Sequence, residues 1–352
     1  MNNSRKKSPF LFFLFALTLV LIITFISKIR QQKKSFLIPI PGEKVRTLYT
    51  IDNLLVAVTS TDKLFVWNWD DIKNPPIEKN LHTDIALLVP PDNIFQVPRE
   101  RADTIIIRSL KNDTEINRIN FAENRSVKMI QQSPNGRYVA VLTVMKNNSS
   151  YQSPDNYRLE LLDTNSLAIS TVTDIKSDDN SLTIRSLAIS RDGNLIAICG
   201  QKENGWLSVI DVIQKKIIAE KQFENSAYIR EVIFSPEGQT LYAGWIERYL
   251  YAFDPLTLNT KDKWSMDEKF HPQERRLNIS GLDVSADGSF LAAGSEPPGK
   301  VWLWKTANNQ KPHFIFTGNT FISDIAFSPD CQFIATSGTL AVDKTRVWRI
   351  KK

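Results

Sequence analysis

The chain has 352 residues, 42% of them hydrophobic and 23% charged, with a formal net charge of +6. That composition excludes a disordered protein and leaves enough apolar material for a large core. The charge is unevenly placed: the first 34 residues carry seven Lys or Arg and no acid, leaving 37 basic against 38 acidic residues beyond them. A folded region of net charge −1 has no surplus of cations to neutralise phosphates, so no nucleic-acid partner is expected.

The first element is apolar. Residues 9–27 run without a charge and include Phe10-Leu11-Phe12-Phe13-Leu14-Phe15 and Leu19-Val20-Leu21-Ile22-Ile23. About 19 residues at ~1.5 Å each approach the ~30 Å of a bilayer's hydrocarbon, so the run reads as one transmembrane helix. A cleaved signal peptide competes with this reading, but the run is long for one and no small-residue cleavage pattern follows it. Residues 1–35 are therefore expected to be an anchor and linker, giving a single-pass membrane protein held in the lipid bilayer by residues 9–27. Three basic residues precede the run and four follow it, so the positive-inside rule favours neither side.

Beyond the anchor one unit recurs: an apolar strand, a tight polar turn, a second apolar strand with small residues, a loop and an alternating strand. The turns are Ser133-Pro134-Asn135-Gly136, Ser190-Arg191-Asp192-Gly193, Ser235-Pro236-Glu237-Gly238, Ser285-Ala286-Asp287-Gly288 and Ser328-Pro329-Asp330-Cys331, with weaker versions ending at Asn53 and Asn93. Pro presets φ at the second position, Asp or Asn bonds the local backbone, and Gly accepts positive φ. After them come strands such as Tyr138-Val139-Ala140-Val141 and Phe333-Ile334-Ala335-Thr336, whose small residues suit a strand sandwiched between sheets. Third strands read Leu64-Phe65-Val66-Trp67-Asn68, Val301-Trp302-Leu303-Trp304-Lys305 and Thr345-Arg346-Val347-Trp348-Arg349.

Here the chain resembles the WD-repeat propeller family. Thr59-Ser60-Thr61-Asp62-Lys63-Leu64-Phe65-Val66-Trp67-Asn68 and Asp343-Lys344-Thr345-Arg346-Val347-Trp348-Arg349 are similar to that family's repeat ending. No repeat has the Trp-Asp pair itself, and only His82 stands near the place of the family's Gly-His, so the family's Trp-Ser/Thr-His-Asp network is incomplete in most blades. Divergent propellers of the Tyr-Val-Thr-Asn type are similar at this level. Either resemblance implies an all-β fold: one seven-bladed propeller of four-stranded antiparallel blades over residues 36–350, after the transmembrane helix. Only four residues follow Trp348, too few for a last outer strand, whereas residues 36–41 have no other home. They are expected to close the last blade, since an outer strand tolerates Pro39 and Pro41.

Little in the sequence marks chemistry. His82, His271 and His313 are scattered, no phosphate loop or nucleophile motif occurs, and Asp174, Asp178 and Asp179 lack calcium-loop spacing. No metal, no cofactor and no catalytic residue is expected, and the chain is not expected to be an enzyme. Cys199 and Cys331 fall in blades four and seven and are expected not to pair. Trp67, Trp304 and Trp348 should pack between blades. Trp206 and Trp245 flank hairpin loops of blades four and five, Arg248 lies beside Trp245, and Arg99 and Arg101 occupy the equivalent loop of blade two. Exposed Trp and Arg are favoured in interfaces, so these five are the partner-binding candidates. The expected function is a membrane-tethered protein-protein interaction scaffold, monomeric in its propeller, that presents one face to a protein partner. The rival is an enzyme or ligand-binding propeller, which requires His, Asp or Arg side chains from several blades converging on the central channel.

Overall fold

A computed structural model describes residues 35–350 except 39, 41–42, 82, 84, 123, 146–155, 177–181, 224–228, 246–248, 267–277, 297–298, 308–311 and 341–342. Seven four-stranded antiparallel sheets carry the chain. Blade one runs outward as Val45–Ile51, Leu54–Thr59, Lys63–Asn68 and Ile77–Asn80, and blades two to six repeat that chain order. Their inner strands are Ile85–Val89, Arg125–Gln132, Thr183–Ile189, Ile229–Phe234 and Asn278–Val284, with Asp324–Phe327 in blade seven. The inner strand of blade seven packs against that of blade one, so the sheets form a ring.

The tight turns behave as their residue types dictate. In blade three the Gly136 N–H donates to the Ser133 carbonyl at 2.8 Å, and the Tyr138 N–H donates back to Ser133 Oγ at 3.0 Å. Gly136, Gly193, Gly238 and Gly288 all hold φ between 69° and 76°, and Cys331 takes the same place at 55°. These turns, and those between third and outer strands, lie on one face of the ring. The hairpin loops between second and third strands lie on the other.

The core fills the spaces between blades. Each apolar cluster draws on two neighbours, as where Leu142 and Leu159 of blade three meet Leu187 and Ile198 of blade four. Alanines on the second strands (Ala140, Ala197, Ala243, Ala292, Ala335) are fully buried and let adjacent sheets approach. Trp67, Trp304 and Trp348 are buried as their positions imply, and Cys199 and Cys331 are buried in blades four and seven.

Blade seven is completed from the other end of the chain. The strand Ser35–Leu37 pairs antiparallel with Arg346–Arg349, Ser35 opposite Trp348 and Leu37 opposite Arg346. The closing strand is therefore shorter than residues 36–41 and starts one residue earlier. Its last bond runs from the Ile38 N–H to the Thr345 carbonyl at 3.1 Å, and Pro39 has no N–H to extend the ladder. The expected anchor at residues 9–27 lies outside the described residues. Among those described, no helix is long and apolar enough to cross a membrane.

Candidate functional site

An inner strand pairs on one side only, so its second edge presents unpaired backbone groups to the ring's axis. Inner strands from all seven blades line a central channel of about 550 Å³. At several blade junctions a side chain from one inner strand accepts an N–H from the next. Tyr49 Oη accepts from Leu88 at 2.6 Å, Ser186 Oγ from Val232 at 3.4 Å, Asp283 Oδ2 from Phe327 at 2.7 Å, and Asp324 Oδ2 from Leu48 at 2.8 Å. These bonds staple the inner strands of neighbouring blades along the channel.

Three carboxyl groups thus gather in the channel from three consecutive blades: Glu231, Asp283 and Asp324. Each is enclosed by protein and only partly open to solvent through the channel. Burial raises Glu231 to about 7, against the hydrogen bond that Ser186 Oγ donates to it at 3.1 Å. Burial likewise raises Asp283 to about 7. Asp324 is pushed well up by burial, and the nearby charges of Glu231 and Asp283 add to the effect. The sequence pattern did not mark these three, because a polar residue on an alternating strand looks like a solvated one. Counting back from each turn serine would have aligned Glu231 with Asp324.

The arrangement suits structure better than catalysis. Both oxygens of Asp283 accept backbone N–H groups, and Asp324 does the same with Leu48 and Ile325. Among the described residues no His, Cys, Asp and Glu side chains group in a way that could hold a metal ion. His313 is exposed on an outer strand, while His82 and His271 lie outside the described residues.

The five partner-binding candidates separate. Arg99 and Arg101 bound a single 3-10 turn on the hairpin-loop face, 53% and 57% exposed. Arg99 reaches across to blade one, its guanidinium 2.8 Å from Asp62 Oδ1. Trp206 is buried, only 2% exposed, in the core between blades three and four. The reason is a tighter hairpin than its sequence suggests: Lys202 pairs with Asn204 around Glu203, which puts Trp206 well inside the strand. Trp245 ends the strand Leu241–Trp245 opposite Ile229. Its side chain, and all of Arg248, lie outside the described residues.

Ring closure, blade number and strand order define the class: a seven-bladed β-propeller of four-stranded antiparallel blades. The chain carries a WD repeat, since the family model described as "WD domain, G-beta repeat" matches residues 310–348. Inside that segment Trp348 Nε1 donates to Thr336 Oγ1 at 3.0 Å, while Asn319 exchanges two bonds with the Lys344 backbone. Among solved structures the chain is similar to the β-propeller domain of Cps50 (Swd1) from Myceliophteria thermophila. That match has 13% identity and a TM-score of 0.64, covering 90% of this chain and 100% of the other. No curated protein matches the chain.

Proposed function

We propose that this chain is a membrane-tethered, non-enzymatic scaffold that turns the hairpin-loop face of a monomeric propeller towards a protein partner. The observation that carries the reading is the pairing of Ser35 with Trp348. Trp348 nears the end of a third strand, so residue 35 starts on the turn-bearing face. In this reading the apolar run 9–27 enters from that side. The hairpin-loop face then points away from the bilayer.

Two surface features agree with this orientation. Ile213 and Leu256 take equivalent places in the outer turns of blades four and five, 74% and 58% exposed, on the turn-bearing face. Such tips suit the headgroup boundary of a lipid layer. On the opposite face Arg99 and Arg101 stand exposed, and arginine is a residue favoured in interface hot spots. The rival's requirement is met in part, since Arg46, Arg185, Asp283 and Asp324 line the channel, but Asp283 and Asp324 are engaged by backbone N–H groups and Glu231 by the Ser186 hydroxyl.

A photo-crosslinking residue placed at position 101 of the intact protein, in mildly solubilised membranes, tests the reading. One stoichiometric protein captured from position 101 and not from position 287 supports it. Capture from 287 alone, or from neither, overturns it.

A further inference from the structure

The inner strands of blades one, three, four, five and six share an irregularity. Each holds one extra residue against its neighbour strand: Arg46, Lys128, Arg185, Arg230 and Ser280. The last four stand five residues before the turn serines Ser133, Ser190, Ser235 and Ser285, and Arg46 has the matching place in blade one. A bulge frees its extra residue from the ladder and re-aims the side chain. Repeated at one register, it puts four cations round the hairpin-loop mouth of the channel, and Arg46 and Arg185 line the cavity itself.

The mouth is lopsided. Arg46, Lys128 and Arg185 are exposed and Arg230 is half-buried. On the other side the equivalent places in blades six and seven hold Ser280, which donates to the Ile322 carbonyl, and Ser323, whose Oγ lies 2.7 Å from Ser337 Oγ. Cations thus face small, internally bonded hydroxyls across an opening with room for side chains. One residue deeper lie Glu231 and Asp324, whose carboxyl groups burial pushes above the usual carboxylate range, with the Arg230 charge beside Glu231 acting against that shift.

We propose that the hairpin-loop mouth of the channel binds a carboxylate-rich peptide segment, gripped by Arg46, Lys128, Arg185 and Arg230. It rests on the scaffold reading only for the source of that segment, a partner protein. A peptide fits better than duplex nucleic acid, because four cations at one opening match a few side chains and the domain lacks the broad positive surface a duplex requires. Guanidinium groups grip carboxylates in paired hydrogen bonds, which favours three arginines at such a site.

Fluorescence anisotropy of a labelled glutamate-rich peptide, with the intact protein in detergent, tests this. The peptide should bind, weaken as salt rises, and lose about tenfold or more in affinity with the Arg46→Glu/Arg185→Glu pair. A lysine-rich peptide should not bind. Lys128→Glu, a single change on an exposed bulge, gives a second reading if the double variant melts early. No binding, or binding indifferent to both variants, overturns the proposal. So does duplex DNA that displaces the peptide as well as unlabelled peptide does. If crosslinking from position 101 captures nothing while the acidic peptide still binds, the scaffold reading fails and this one stands.

Discussion

Asp324 Oδ2 accepts the Leu48 N–H at 2.8 Å, joining the last blade to the first across 276 positions of sequence. The same two blades are tied at the rim by the strand Ser35–Leu37 on Arg346–Arg349. The ring is therefore clasped at its inner edge by the Asp324 carboxyl group and by Thr50 Oγ1, which donates to the Phe327 carbonyl at 2.6 Å, and at its outer edge by a three-residue strand.

The outer clasp depends on burial just past that strand. Ile38 is 3% exposed and packs with Leu48, Leu55 and Trp67. Ile38→Asp should cost about 3 kcal/mol or more, read as a lower midpoint in urea unfolding. An unchanged midpoint would show that the inner clasp alone closes the ring.

The channel carboxyls give the fold a pH dependence of defined sign. Glu231 and Asp283 keep their protons up to about 7 when folded, whereas an unfolded carboxyl releases its proton near ~4. Between those values the folded state binds more protons, so stability falls as pH rises, and the loss is complete above the folded value. Thermal melts should show the propeller less stable at about pH 8 than at about pH 5, by on the order of 1–3 kcal/mol. Glu231→Gln should raise the melting temperature at the higher pH and leave the lower one nearly unchanged. A slope of the opposite sign would mean these groups ionise freely.

Two buried tryptophans should respond differently to one change. Trp348 Nε1 donates to Thr336, whereas Trp67 Nε1 is buried with no partner. Trp348→Phe should cost about 1 kcal/mol more than Trp67→Phe, because only the first loses a hydrogen bond and leaves a buried hydroxyl short of a donor. Chemical denaturation of both variants gives the difference directly.

Gly200 tests how closely neighbouring strands approach. A Cβ there would strike the Thr183 carbonyl oxygen, which is backbone and cannot swing aside. Gly200→Ala should destabilise blade four by about 2–4 kcal/mol. Tolerance of alanine would mean that the bulge at Arg185 can relax.

The sequence showed its turns and inner layers clearly, because Ser-x-Asp-Gly and alternating apolar runs follow from backbone geometry and burial. Outer strands were harder to see: Glu115–Asn120 is exposed at five of six positions, so no apolar pattern marks it. Trp206 reads as exposed in the sequence because it stands beside a hairpin loop, while a one-residue hairpin draws it into the core. The channel groups and the bulged cations were hidden for a different reason. Arg185 or Glu231 looks ordinary within its own strand, and its meaning lies in the register shared with other blades. Trp348 carried its packing role openly, since the strand around it alternates towards the core.

The central claim is that the turn-bearing face lies against a bilayer while the hairpin-loop face is free. Cys199 and Cys331 are buried, so single cysteines placed at exposed positions can be labelled selectively in the intact protein. Fluorophores at positions 213, 256 and 287 and at positions 99 and 249 would be read in nanodiscs carrying a lipid-borne quencher. The account predicts quenching at 213, 256 and 287 and none at 99 or 249. Quenching at 99 and 249 alone, or at no position, would contradict it.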